Sequence, residues 1–144
     1  MTELGVHSIG EFVLAVPSLT EAEHFFTSFG LTVTAEGNHL ALRATEGTYR
    51  WGRVIESNSK FLHHITFNCF ADDLLRFQSR LERSSIRLLD APQEFGSGGL
   101  WFRGHDGILM EIRVGPKTSP DKLSEPASPY YQAGVRSAPY RSLA

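Results

Sequence analysis

The order strand, helix, strand, strand, strand can be read twice along this chain, and the two readings keep a constant offset. Glu11 and His64, each at the head of a strand, are 64 − 11 = 53 positions apart, and the same offset carries Leu19 onto Asp72, each beside a helix start. An internal repeat of whole units marks an architecture in which one copy cannot bury its apolar face alone. The predicted fold class is α+β, with two βαβββ units packed face to face around a cleft lined by alternate strand residues.

The local signals support each element. Glu11 to Pro17 is an apolar strand, and Ser18, Leu19, Thr20, Glu21 form a capping-box pattern, so a helix starts there with Ala22, Phe25, Phe26 and Phe29 at helical spacing and Gly30 as its stop. Strands then follow at Leu31 to Ala35, Leu40 to Arg43 and Tyr49 to Ile55. In the second copy Leu62 to Phe70 is a strand, Asp72 or Asp73 caps a helix carrying Leu74, Leu75, Phe77 and Leu81, and Arg87 to Leu89 is a weak strand. Leu100 to Arg103 and Ile108 to Val114 flank Gly104, His105, Asp106 and Gly107, a hairpin signal. The paired domain is expected over 1–115. The segment 116–144, with Pro116, Pro120, Pro126, Pro129 and Pro139, reads as a proline-rich tail or linker that Tyr130, Tyr131 and Tyr140 could pin to the domain or to a partner.

Composition narrows the function classes. A chain of 144 residues that is 41% hydrophobic has room for one substantial core, and a net charge of −2 leaves no basic footprint for nucleic acid. Cys69 is the single cysteine, which excludes an intrachain disulfide and a thiolate-rich zinc site and reads as a small buried hydrophobe. Neither a signal peptide nor a membrane span is evident, so a soluble cytoplasmic protein is expected.

Chemistry concentrates in two strands. His64 and Glu111 each sit among apolar neighbours, and a buried imidazole or carboxylate needs a partner, of which a metal is one. Alternation puts Glu11, Val13 and Ala15 on one face, and His64, Thr66 and Asn68 on one face, with Met110 and Ile112 turned away from Glu111 and His63 turned away from His64. For Glu111 the alternative to a metal is an ion pair with Arg53 or Arg113, and for Glu11 an ion pair with a cleft arginine. His105 in the hairpin turn is a candidate catalytic acid or base, against simple solvation there. His7 shares the face of Glu11 if the first strand extends that far, against a solvated amino-terminal histidine, and His24 lies on an exposed helix face. The run Gly96, Ser97, Gly98, Gly99 lacks the lysine and the spacing of a phosphate loop.

The segments EFVLAVPSLTEAEHFFTSFGL, LHHITF and GHDGILMEI, in this order over residues 8 to 115, resemble the vicinal oxygen chelate superfamily of glyoxalase I, bleomycin and fosfomycin resistance proteins and extradiol ring-cleaving dioxygenases. The onward runs EIRVGPKTSPDKLSEP and GVRSAPYRSLA make the chain most similar to the amino-terminal half of a two-domain extradiol dioxygenase, a half that commonly keeps the fold without the iron. The resemblance implies metal ligands at Glu11, His64 and Glu111. The iron site of ring-cleaving enzymes uses two histidines and one carboxylate, whereas Glu11 here replaces a histidine, and a fourth ligand of the glyoxalase type would fall in the strand that offers Arg53.

Two functions follow from the resemblance. The first is a dioxygenase-type oxidoreductase that holds a divalent metal, Fe(II), Mn(II) or Zn(II), at those three residues and acts on a small aromatic or vicinal-oxygen ligand. The second is a metal-free module that sequesters a ligand or forms the non-catalytic half of a dioxygenase. A homodimer is the implied assembly.

Overall fold

A computed structural model describes residues 3–96 and 98–118. The chain runs β1 (Ser8–Val16), α1 (Leu19–Phe29), β2 (Thr32–Glu36), β3 (His39–Arg43), β4 (Arg50–Glu56), β5 (Phe61–Cys69), α2 (Leu74–Arg83), β6 (Leu100–Arg103) and β7 (Leu109–Val114). All seven strands form one mixed sheet in the order β2-β3-β4-β1-β5-β7-β6. β1 and β5 meet antiparallel at its centre, and each lies parallel to the last strand of its own unit, β4 or β7. The repeat is therefore visible as two half-sheets joined edge to edge along their first strands, not packed face to face as expected, because the β1–β5 backbone ladder makes the two units one continuous sheet.

One face of the sheet takes the helices. Leu19, Ala22 and Phe26 of α1 pack with Leu40, Leu42 and Val54, while Leu74, Phe77 and Leu81 of α2 pack with Cys69, Phe102 and Ile112. The α1 termini are formed as their residues dictate: Ser18 Oγ accepts from Glu21 N at 3.2 Å, and Gly30 closes the helix at φ 111°, a left-handed conformation suited to glycine. The apolar stripe is narrower than the spacing predicts, since Phe25 and Phe29 are 62% and 75% exposed and stack on each other instead. At α2 a single 3-10 turn, Ala71–Asp73, precedes the helix, and Asp73 accepts from Arg76 rather than capping the backbone.

The second unit departs from five full elements. The expected strand at Arg87 to Leu89 is a single bridge, Leu89 to Trp101, because the chain turns away over Pro92 to Phe95, where Phe95 N donates to Pro92 O. Burial pushes the Cys69 thiol above its ordinary value, in keeping with a packing role. Beyond β7, Asn68 Nδ2 donates to Pro116 O, while Thr118 N donates to Ser8 Oγ and Thr118 Oγ1 to Ile9 O. The rest of the predicted tail, 119–144, with all three of its tyrosines, lies outside the described residues.

The central pair carries two bulges. Its register steps between Ile9–Phe67 and Glu11–Thr66, leaving Gly10 as an extra residue in β1, and again between Val13–His64 and Leu14–Leu62, leaving His63 extra in β5. The bulges stand 63 − 10 = 53 positions apart, which is the offset of the repeat. Gly10 is required by close approach: a Cβ there would lie 2.5 Å from Asn68 Oδ1 and 3.0 Å from Thr66 Cγ2. Gly10→Ala is expected to cost about 1–3 kcal/mol through overpacking, read as a lower urea midpoint at unchanged m; an unchanged midpoint would show that Asn68 gives way freely.

Candidate functional site

On the face opposite the helices, two adjacent rows of paired residues run across the sheet. Glu11, Thr66, Glu111 and Trp101 form one, and Arg53, Val13 and His64 the other. The residues read from alternation, Glu11, His64 and Glu111, thus share a face, and all three are buried, at 2%, 1% and 2% exposure. The repeat explains the fourth position. Val13 plus 53 is Thr66; the β4 partner of Val13 is Arg53 and the β7 partner of Thr66 is Glu111, so Arg53 occupies in the first unit the place of Glu111 in the second.

That substitution decides what Glu11 does. Arg53 Nε and Nη2 donate to its two carboxylate oxygens at 3.0 and 2.5 Å, a bidentate pair. Arg50 Nη2 lies 3.5 Å from Glu11 Oε1 and continues through its other nitrogen to Glu36, which also binds Arg43. The Arg43 and Arg50 charges hold the Glu36 carboxyl below its ordinary value, with the Arg43 hydrogen bond the largest cause. Glu111 Oε1 accepts from the Thr66 hydroxyl at 2.7 Å.

His64 is engaged differently. The bulge brings His63 onto the same side, correcting the strict alternation that turned it away, and the two Nδ1 atoms lie 2.8 Å apart. One ring must present Nδ1–H and the other an Nδ1 lone pair. Burial pushes His64 down to about 4, and the neighbouring His63, Arg53 and Arg113 reinforce the shift; burial also holds His63 below the ordinary value. Phe95 closes over both rings, at centroid distances of 5.3 Å from His63 and 4.8 Å from His64, with the Arg53 guanidinium carbon 4.6 Å from the Phe95 centroid. Trp101 packs edge-on to His64 at 4.8 Å.

Two contacts of this arrangement oppose a divalent metal held at Glu11, His64 and Glu111. Both Glu11 oxygens face a guanidinium, a fixed cation where a metal would add like charge, and Nδ1 of His64 is held by His63. Among the described residues no group of three or more His, Cys, Asp or Glu is placed to hold a metal ion. His105 is exposed in the turn between β6 and β7, outside the buried rows. His7 bonds Ser8 Oγ and packs on Phe70, away from Glu11, and His24 is exposed on α1. Nothing in the sequence marks Phe95 as a site residue, since it closes a proline turn with no periodicity. The pairing of Arg53 with Glu11 has a sequence signal, since an ion pair with a cleft arginine is the expected alternative for Glu11 and the fourth-ligand strand offers Arg53.

No family model matches the chain. A curated relative, metapyrocatechase 2 of Cupriavidus necator, is 36% identical over 137 residues, 95% of this chain and 42% of the relative, so the chain spans less than half of that protein's length. Among solved structures, the 2,3-dioxygenase LapB from Pseudomonas sp. KL28 matches with a TM-score of 0.64 at 18% identity, over 78% of this chain and 42% of that one. The 2,2',3-trihydroxybiphenyl 1,2-dioxygenase from Sphingomonas wittichii strain RW1 gives 0.66 at 16%, over 78% and 42%. A Mn(II)-bound glyoxalase from Novosphingobium aromaticivorans gives 0.64 at 16%, over 83% and 42%. At these identities the structural likeness is one of fold. No described helix is long and apolar enough to cross a membrane.

Proposed function

We propose that this chain, a glyoxalase/dioxygenase-superfamily protein related to the extradiol dioxygenases, is the metal-free half of such an enzyme: a scaffold that stands beside a metal-bearing half acting on a small aromatic diol. The observation that carries this reading is the Arg53–Glu11 pair. A carboxylate that could have been a ligand is satisfied by a guanidinium instead, and the repeat-equivalent of Glu111 is that same arginine. The match to 42% of the length of metapyrocatechase 2 agrees with a half.

The decisive measurement is metal content. The purified chain, incubated anaerobically in turn with Fe(II), Mn(II) and Zn(II) and then desalted, is expected to retain under about a tenth of an equivalent of each, since a metal would have to displace the Arg53 guanidinium from both Glu11 oxygens before it could bind. One equivalent that disappears in both His64→Ala and Glu111→Ala would overturn the reading. A homodimer remains part of the proposal, to be read by analytical ultracentrifugation. A monomer that associates only with a metal-bearing half would replace it.

A further inference from the structure

The two helices present unlike outer faces. On α1, Phe25 and Phe29 stand exposed with their rings stacked, 6.1 Å apart at an interplanar angle of 17°, and Phe26 braces Phe25 edge-on at 5.1 Å. Glu21, Phe25 and Phe29 follow at intervals of four and so form one stripe, and no lysine or arginine occurs among the eleven residues of this helix. On α2 the charge is reversed. Arg76, Arg80 and Arg83 line a groove of about 810 Å³, against the single acid Glu82. Leu75, 73% exposed, and Leu4 of the amino-terminal segment give that groove its apolar surface.

The repeat makes this a contrast between equivalent positions. The inward residues Leu19, Ala22 and Phe26 of α1 correspond to Leu74, Phe77 and Leu81 of α2, a step of 74 − 19 = 55 positions. The same step carries Glu21 onto Arg76 and Phe25 onto Arg80, so acid and aromatic surface on one helix stand where the other has guanidinium. Exposed aromatic rings and arginines are the residue types that anchor interfaces, and a guanidinium is attracted to a ring face. Both helices pack on the same side of the sheet with these residues turned outward, so a second copy is needed to bring the two faces together. A copy laid helix side to helix side, with its α1 on this α2, carries its own α2 onto this α1. The association closes as a two-fold dimer in which the complementary contact forms twice.

We propose that the helical side of the sheet is a self-association surface. Phe25 and Phe29 of one copy enter the groove between Leu4 and Leu75 of the other, beside Arg80 and Arg83, and Glu21 faces the arginine row. This rests on the homodimer of the function proposed above and names the surface that forms it; the metal-free reading does not depend on it.

Sedimentation velocity of the full chain is the test. The parent is expected to dimerise with a Kd of about 1–100 µM. Phe25→Lys with Phe29→Lys, and separately Arg80→Glu with Arg83→Glu, should each weaken the dimer at least roughly tenfold by setting like charges against each other. Mixing the two variants restores opposite charges across one contact and leaves the other in its native form, so the mixed dimer should form within about fivefold of the parent Kd. Melting curves show that each variant is folded; if the lysine variant is not, Phe25→Gln with Phe29→Gln replaces it, and mixing then restores one native contact. A monomeric parent would overturn the surface together with the homodimer and leave the helical face to a metal-bearing half. A parent dimer indifferent to either folded variant, or a mixture that recovers nothing, would overturn the surface alone and leave the homodimer standing.

Discussion

Replacing Arg53 by methionine is expected to lower the unfolding free energy by about 3–5 kcal/mol, the range seen when one partner of a buried ion pair is removed. Glu11 is 2% exposed and would keep its charge with only the more distant Arg50 nitrogen, at 3.5 Å, to offset it. A buried carboxylate so stranded must draw in water or shift its neighbours, and either costs stability. Removing the acid as well, in Glu11→Leu with Arg53→Met, eliminates the uncompensated charge, so the double variant should recover most of the loss. Urea midpoints of the four proteins give the coupling directly. A single variant within about 1 kcal/mol of the parent would mean the pair is solvated after all.

Acid is expected to unfold the protein earlier than its carboxylates alone would. The His64 value falls from 6.5 to about 4 on folding. Above pH 6.5 neither state binds the proton and the group contributes nothing to the pH dependence. As pH falls below 6.5 the unfolded chain takes up a proton that the folded chain refuses, so stability drops until about pH 4, where both states are protonated. At 1.36 kcal/mol per unit the loss is about 2–3 kcal/mol by pH 4.5. His63 and His39, both held low, push in the same direction. Unfolding measured from pH 7.5 to 4.5 should show this slope and lose most of it in His64→Gln. A slope unchanged by that substitution would place the titration elsewhere.

The repeat made most of this fold legible. Seven strands and two helices fall at or near the positions that hydrophobic spacing and caps predict, and Glu11, His64 and Glu111 share a buried face as strand alternation requires. What sequence alone did not show depends on departures from regularity. A bulge changes which way a side chain points without altering the residues around it, so strict alternation puts His63 on the wrong face. The strand near Leu89 shrinks to one bridge because turn geometry at Pro92 overrides a weak β pattern. The functional meaning of Glu11 depended on Arg53, 42 residues onward, and only the register of β1 with β4 brings the two together.

Thr118 is tied by two hydrogen bonds to the start of β1, at Ser8 and Ile9, so the described chain leaves the sheet next to where it enters. In mechanical terms, the two bonds share one residue and so carry load together, as a single latch set ahead of the long β1–β5 ladder. Opening that latch breaks no bond of the β1–β5 ladder, so the buried charged rows keep their pairing whether Thr118 is held or released.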